Sequence, residues 1–189
     1  MSDDSPGDFL SRLTTKLADA EIPHMVVGSF ASSFHGIPRS SQDLDLVVDL
    51  EPGSLDRFLA DLPATDYYAD ADAAREALQR RGQFNVIDMA TAWKADLIVR
   101  KARPFSVEEM RRRSEGDLLG ARVFIASPED TLISKLEWAK EGGGSELQLR
   151  DAGGILELRG SDLDIAYIEH WVAELGLDDL WQRLRTATK

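Results

Sequence analysis

The stretch Asp43-Leu44-Asp45-Leu46-Val47-Val48 decides which fold we expect for this chain of 189 residues. Acidic and apolar residues alternate, and side chains alternate across a β-strand, so Asp43 and Asp45 share one face roughly 7 Å apart. Leu44 and Leu46 share the opposite face, as in a strand backed by a core. The two carboxylates repel each other unless a cation lies between them. Mg²⁺ fits this pattern, although acids on a strand that faces water fit it as well.

A second motif begins fifteen residues upstream, at Gly28-Ser29. Val26-Val27 predicts the end of a strand, glycine allows close backbone approach, and Ser29 opens a short helix whose first N–H groups lack partners within the helix. Such a helix start binds phosphate well, but many strand-to-helix turns use glycine without a ligand. Arg39, in the loop before Asp43, is either a charged donor to phosphate or an ordinary surface arginine.

The remaining pattern predicts an α+β fold, in which a mixed sheet is flanked by helices and followed by a C-terminal helical bundle. We therefore divide the chain into residues 1–126 and residues 127–189. Apart from the motifs above, the first region contains candidate strands and helices in irregular order. The candidate helices are 8–21, 54–62, 71–81 and 107–113, and the candidate strands are 24–27, 67–68, 84–89, 95–99 and 123–125. Everything after Ser127 is predicted to be helical.

Composition indicates a cytoplasmic protein. There is no cysteine, the N-terminus is polar and acidic, and no apolar stretch approaches the length of a membrane span. The net charge of −12 argues against a surface devoted to duplex nucleic acid. The segment 94–113 is nevertheless rich in lysine and arginine, as in a solvated rim or a surface that binds a polyanion.

Together these motifs resemble a known superfamily. Gly28-Ser29 followed by Asp43-Leu44-Asp45 resembles the signature of the nucleotidyltransferases, which have the DNA-polymerase-β-like fold. Within that superfamily, residues 35–45 are similar to AbiEii-like and related minimal nucleotidyltransferases. The similarity continues through Ser127-Pro128-Glu129-Asp130 and residues 145–155, and spans residues 22–158 in all.

The resemblance implies further site residues. It places a third carboxylate on a later strand, for which Asp96 is the first candidate and Asp88 the alternative. It also places Lys135 against nucleotide phosphates, although this lysine can equally point into solvent. In AbiEii-like proteins a later helix carries Lys/Arg-Asp-x-x-Asp. This chain keeps Arg150-Asp151 but has Gly154 in place of the second acid.

The resemblance further implies Mg²⁺-dependent transfer of a nucleoside monophosphate from a nucleoside triphosphate to RNA or protein, and a place in a toxin–antitoxin pair with an antitoxin partner. A small-molecule acceptor and a nucleotide-binding module without turnover stay open. The expected catalytic residues and metal ligands are Asp43, Asp45 and Asp96. The expected nucleotide-binding residues are Gly28, Ser29, Arg39 and Lys135.

Overall fold

The computed structural model describes residues 5–187 and divides into two compact units. The first unit comprises Met1–Val26 and Ser41–Ile125, and the second comprises Val27–Ser40 and Ala126–Lys189. The sequence-based division at residue 126 assigns residues 27–40 to the first region instead. In the structure these residues pack with the C-terminal helices, at a contact described below.

The first unit alternates strands and helices. Its helices are α1 (Pro6–Asp19), α3 (Pro52–Ala60), α4 (Ala71–Arg80) and α5 (Pro104–Arg112). Its strands are β1 (His24–Val26), β2 (Asp43–Val48), β3 (Tyr67–Ala69), β4 (Gln83–Asp88), β5 (Lys94–Val99), β6 (Ser114–Leu118) and β7 (Ala121–Ile125).

Across residues 5–187, these strands form one seven-stranded sheet in the order β3-β4-β5-β2-β1-β7-β6. The pairs β2–β5 and β1–β7 are parallel, whereas the other neighbours are antiparallel. This mixed sheet with flanking helices confirms the predicted α+β class. Sequence reasoning missed β6, an edge strand in which only Leu118 is buried, because so polar a segment lacks the alternation that marks a strand.

The strands β2 and β5 hold the centre of the sheet through one buried face. Leu44 and Leu46 of β2, and Ala95 and Leu97 of β5, have no solvent exposure. The two strands are paired in parallel register, so these apolar side chains lie on the same side of the sheet. The residues between them therefore share the other side, which determines where the charged residues of both strands lie.

The second unit is helical within its described residues, as predicted for the chain after Ser127. Its helices are α2 (Gly28–His35), α6 (Pro128–Glu141), α7 (Glu146–Arg159), α8 (Ile165–Leu175) and α9 (Asp178–Ala187). The helix α6 begins as its sequence indicates: Ser127 Oγ accepts a hydrogen bond of 3.1 Å from the Asp130 backbone N–H, and Pro128 follows the cap. None of the helices within residues 5–187 is long and apolar enough to cross a membrane.

Candidate active site

Four charged residues occupy the exposed side of β2 and β5, and we call them the acidic square. The parallel register sets Asp43 opposite Lys94 and Asp45 opposite Asp96. Neighbouring strands are about 4.8 Å apart, so these side chains are close neighbours. Like charges directly opposite each other destabilise a sheet. The pairing of Asp45 with Asp96 therefore calls for positive charge at this place.

Lys94 supplies part of that charge. Its Nζ lies 3.3 Å from Asp43 Oδ1 and 3.3 Å from Asp96 Oδ1, and it donates a hydrogen bond of 3.3 Å to Asp96 Oδ2. Burial lowers the pKa of Lys94, but the charge of Asp96 and the hydrogen bonds to Asp43 and Asp96 outweigh it, so the pKa is raised above its ordinary value. Lys94 is therefore a full cation at neutral pH.

The acidic square supplies some, but not all, of the ligands that a divalent cation needs. Within the described part of the chain, no three His, Asp or Glu side chains are gathered closely enough to hold a metal by themselves. Mg²⁺ does not need such a cage, because it binds through one or two carboxylates and keeps water or phosphate oxygens as its other ligands. Asp96 Oδ1 is buried and accepts no hydrogen bond, and the Lys94 ammonium faces it at 3.3 Å. This oxygen is a candidate ligand for a divalent cation beside Asp45.

The structure separates the two candidates for the third acid. Asp96 shares the sheet face of Asp43 and Asp45 and keeps 15% of its side chain exposed. Asp88 is buried with Phe84 on the opposite face of β4 and pairs there with Arg12. Its carboxylate is therefore already engaged in an ion pair within the first unit. The geometry brings Asp96, and not Asp88, to the acidic square.

The predicted phosphate-binding turn opens α2 in the second unit. Gly28 is the first residue of that helix and has φ of +64°, a conformation that favours glycine. Val27 stands at the N-cap and makes no side-chain hydrogen bond to the helix. The first N–H groups of α2 thus have no side-chain cap, as the sequence predicts for this turn.

Arg39 and Lys135 meet at Asp151, and Arg39 also reaches Ser29. We call these four residues the basic cluster. Arg39 Nε lies 3.0 Å from Asp151 Oδ1, and Arg39 Nη2 lies 3.1 Å from Asp151 Oδ2. Arg39 also donates to Ser29 Oγ. Lys135 Nζ donates to Asp151 Oδ2 at 2.8 Å. One carboxylate thus holds two cations from different segments, and one of these cations holds the Ser29 hydroxyl.

The basic cluster is buried around its acid. The side chains of Lys135 and Asp151 are only 5% and 4% exposed. Lys135 therefore does not point into solvent, because its ammonium lies in a buried ion pair with Asp151. Burial raises the pKa of Asp151, but hydrogen bonds from Arg39 and Lys135 outweigh it and hold that pKa below its ordinary value. Two cations against one carboxylate leave an excess of positive charge beside Ser29.

Close packing explains why position 154 is glycine rather than the second acid of the AbiEii-like motif. A Cβ at Gly154 would lie 3.1 Å from the backbone N of Ile37. A Cβ at Gly36 would lie 2.8 Å from the backbone N of Ile155. The end of α2 and the middle of α7 therefore touch backbone to backbone, and this contact keeps residues 27–40 with the C-terminal helices. A longer side chain at Gly154 would separate the two segments.

Several cations of the basic segment 94–113 have partners within the first unit. Arg100 Nε lies 2.9 Å from Asp49 Oδ2, and Arg111 pairs with Glu108. The Arg113 guanidinium lies 4.8 Å from the centre of the Phe124 ring. These local partners favour a solvated rim over a continuous surface for a polyanion.

A cavity of about 500 Å³ lies in the second unit. Its lining includes the apolar residues Ile37 and Leu184. Its charged lining residues are two arginines and two glutamates: Arg150, Arg183, Glu146 and Glu157. None of the seven predicted site residues lines it. The cavity specifies no ligand, because the charges around it are balanced.

The sequence analysis did not predict the contacts of two residues, Lys94 and Asp151. Lys94 was noted only as part of the basic segment. Once β2 and β5 are paired, however, Lys94-x-Asp96 lies opposite Asp43-x-Asp45. That pattern indicates that Lys94 lies among the acids. Asp151 was noted for its resemblance to a motif, but its contacts with Arg39 and Lys135 join residues that are 112 and 16 positions away. No local pattern reveals such contacts.

The fold was compared with known proteins. No protein-family model matches the sequence, and no curated protein matches it. A nucleotidyltransferase-like antigenic protein from Paracoccidioides brasiliensis has a similar structure, with a TM-score of 0.58, 17% identity, and coverage of 98% of this chain and 94% of that one. The lincomycin-bound structure of the lincosamide antibiotic adenylyltransferase LnuA is also similar, with a TM-score of 0.52 and 8% identity. That match covers 81% of this chain and 99% of the LnuA chain. The structural similarity shows that this chain has the nucleotidyltransferase fold. Because the sequence identities are low, the AbiEii-like subtype stays a prediction.

Proposed function

We propose that the protein binds a nucleoside triphosphate with Mg²⁺ and transfers the nucleoside monophosphate to an acceptor. In this reaction the nucleophilic atom of the acceptor forms a bond to the α-phosphorus while the bond from that phosphorus to the α,β-bridging oxygen breaks. The acceptor loses a proton and pyrophosphate leaves. The protein must therefore hold the triphosphate, offset its negative charge and accept or direct the proton.

The observation that carries this proposal is the pairing of Asp45 with Asp96 within a nucleotidyltransferase fold. The fold alone names no activity, because one fold serves many functions. Two like charges placed opposite each other at the centre of a sheet cost stability. A cation-binding role explains why both positions carry aspartate rather than one aspartate and a neutral residue.

Each cluster supports a different part of the reaction. Mg²⁺, when bound, neutralises charge on the phosphates and orients them for displacement. In the proposal, Asp43 and Asp45 would hold the metal ion, and Asp96 would hold a second metal ion or take the proton of the acceptor. Gly28 and Ser29 would bind phosphate through backbone N–H groups and hydroxyl, and the excess positive charge of the basic cluster favours an anion.

The proposed acceptor is RNA or protein, with the chain acting in a toxin–antitoxin pair beside an antitoxin. A small-molecule acceptor is a second candidate, because the lincosamide adenylyltransferase with a similar fold is described with an antibiotic bound. The ion pairs of Lys94, Arg100 and Arg111 in the basic segment 94–113 support protein or a small molecule over RNA, since RNA binding depends on unpaired cations.

The test is transfer of label from nucleotide to acceptor. The purified protein is incubated with Mg²⁺, cell lysate and each of the four α-labelled nucleoside triphosphates, and then the protein, RNA and small-molecule fractions are counted. We expect label in a macromolecular fraction, and none with Asp45→Asn. Label in the small-molecule fraction would favour the second candidate. Nucleotide binding without any transfer would indicate a binding module, and no binding at millimolar nucleotide would refute the proposal.

A further inference from the structure

The position of Lys94 in the acidic square has a consequence for metal binding. Its ammonium lies 3.3 Å from a carboxylate oxygen of Asp43 and 3.3 Å from one of Asp96. It therefore stands among the same acids that a divalent cation would need. Two cations beside the same carboxylate oxygens repel each other, so the Lys94 ammonium and a divalent ion weaken each other's binding at the acidic square.

The position of Lys94 is fixed by the fold rather than by a flexible surface side chain. Lys94 is the register partner of Asp43 on the parallel strand β5, and it lies two residues before Asp96 on the same face. Its side chain is about one-third exposed. Both neighbours are acidic, so the ammonium has a reason to remain in the acidic square whenever no other cation is present.

We propose that Lys94 is an internal counter-cation that competes with the divalent ion for the acidic square. Lys94 stabilises the acids while the site holds no metal, and it must withdraw from Asp43 or Asp96 for the ion to bind both. The divalent ion alone then binds weakly, and it binds well when the triphosphate supplies further oxygen ligands. This inference rests on the proposed function, and it assigns to Lys94 the control of when the site is loaded with metal.

The experiment measures Mn²⁺ affinity without nucleotide, using the electron paramagnetic resonance signal of free Mn²⁺. We expect Lys94→Met to tighten Mn²⁺ binding by about threefold to tenfold, since two partly exposed ion pairs that oppose the metal are removed. Lys94→Arg keeps the positive charge and should stay close to the parent protein. Lys101→Met, an exposed lysine two residues beyond β5, removes the same charge elsewhere and should change the affinity by less than about twofold.

A second measurement is thermal stability with and without Mn²⁺. Lys94→Met should melt below the parent without metal, because the acids of the square repel each other more strongly, and it should gain more stability than the parent when Mn²⁺ is added. Adding Asp45→Asn to Lys94→Met should abolish the gain in affinity, which would place the bound ion at the acidic square.

The outcomes separate this inference from the proposed function. If Asp45→Asn loses Mn²⁺ binding while Lys94→Met binds like the parent or more weakly, the acids form a metal site and Lys94 does not compete. If neither the parent nor Lys94→Met binds Mn²⁺ at millimolar concentration, the metal site and the inference are both wrong. Equal tightening by Lys94→Met and Lys101→Met would show a general effect of charge and would also overturn the inference.

Discussion

The acidic square and the basic cluster are opposites in charge and similar in design. The acidic square has three carboxylates and one ammonium, whereas the basic cluster has two cations and one carboxylate. Each contains one internal residue of the opposite sign, Lys94 in the first and Asp151 in the second. That residue lets the cluster fold without a ligand, and the remaining charge determines which ligand the cluster favours: a cation in one case and an anion in the other.

The two clusters differ in burial, and this difference separates their expected roles. In the acidic square, 54% of the Asp43 side chain and 32% of the Lys94 side chain are exposed, so its ion pairs are screened and weak. In the basic cluster the Lys135–Asp151 pair is almost fully buried, and the loss of one partner would leave an uncompensated charge inside the protein. Substitutions in the first should therefore affect chemistry, and substitutions in the second should also affect folding.

The largest expected effect tests the acidic square. Asp96→Asn should reduce transfer by about a thousandfold or more, because a carboxylate that binds metal or takes a proton acts mainly in the transition state. Binding of Mg²⁺ and nucleotide should change only a few-fold, and the melting temperature should hardly fall. Single-turnover transfer of label and calorimetry measure the two quantities.

Asp88→Asn is the matched control for Asp96→Asn. Asp88 is buried on the opposite face of the sheet and holds Arg12. Its substitution should destabilise the first unit by about 1–3 kcal/mol while transfer by the folded protein continues. An inactive but stable Asp88→Asn variant, beside an active Asp96→Asn variant, would show that the wrong acid was assigned to the site.

The next effect tests the basic cluster. Asp151→Asn should lower the free energy of unfolding by about 3 kcal/mol at pH 7, because Lys135 loses its charged partner in a buried place. Nucleotide affinity should also fall, since Arg39, which holds the Ser29 hydroxyl, loses its carboxylate partner. Urea denaturation and calorimetry measure both. Glu157→Gln removes an exposed acid from the same helix and should change neither quantity.

The difference in the free energy of unfolding between the parent and Asp151→Asn should depend on pH in a definite direction. The pKa of Asp151 is lowered in the folded protein by Arg39 and Lys135 against the opposing effect of burial. A carboxyl with a lowered folded pKa contributes stability above its unfolded pKa of about 3.9, and loses it as the pH falls through the folded value. The gap between the parent and Asp151→Asn should therefore be constant near neutrality and narrow below about pH 4. A gap that widened in acid would contradict the ion pair.

The sequence predicted the acidic square better than the basic cluster, and the reason is the range of the contacts. The strand Asp43–Val48 has the predicted bounds, since alternation within six residues marks both its ends and its faces. Asp96 was chosen because an apolar strand follows it directly. Asp151 contacts Arg39, which is 112 residues away in the sequence, and Lys135, which lies on the preceding helix. Such contacts depend on how helices pack, which local patterns do not specify.

The smallest expected effect concerns the basic segment 94–113. Arg111 Nη2 lies 2.5 Å from Glu108 Oε1 one helical turn away, and 71% of its side chain is exposed. Such a surface pair contributes about 0.2–0.5 kcal/mol, so Arg111→Gln should change the urea midpoint little and leave nucleotide binding unchanged. The informative measurement is the salt dependence of binding to a single-stranded RNA. If the segment is a solvated rim, parent and variant should share the same slope of log affinity against log salt. If Arg111 contacts phosphate, the slope should become shallower by about 0.7, which would reassign the segment as an RNA surface and make RNA the preferred acceptor.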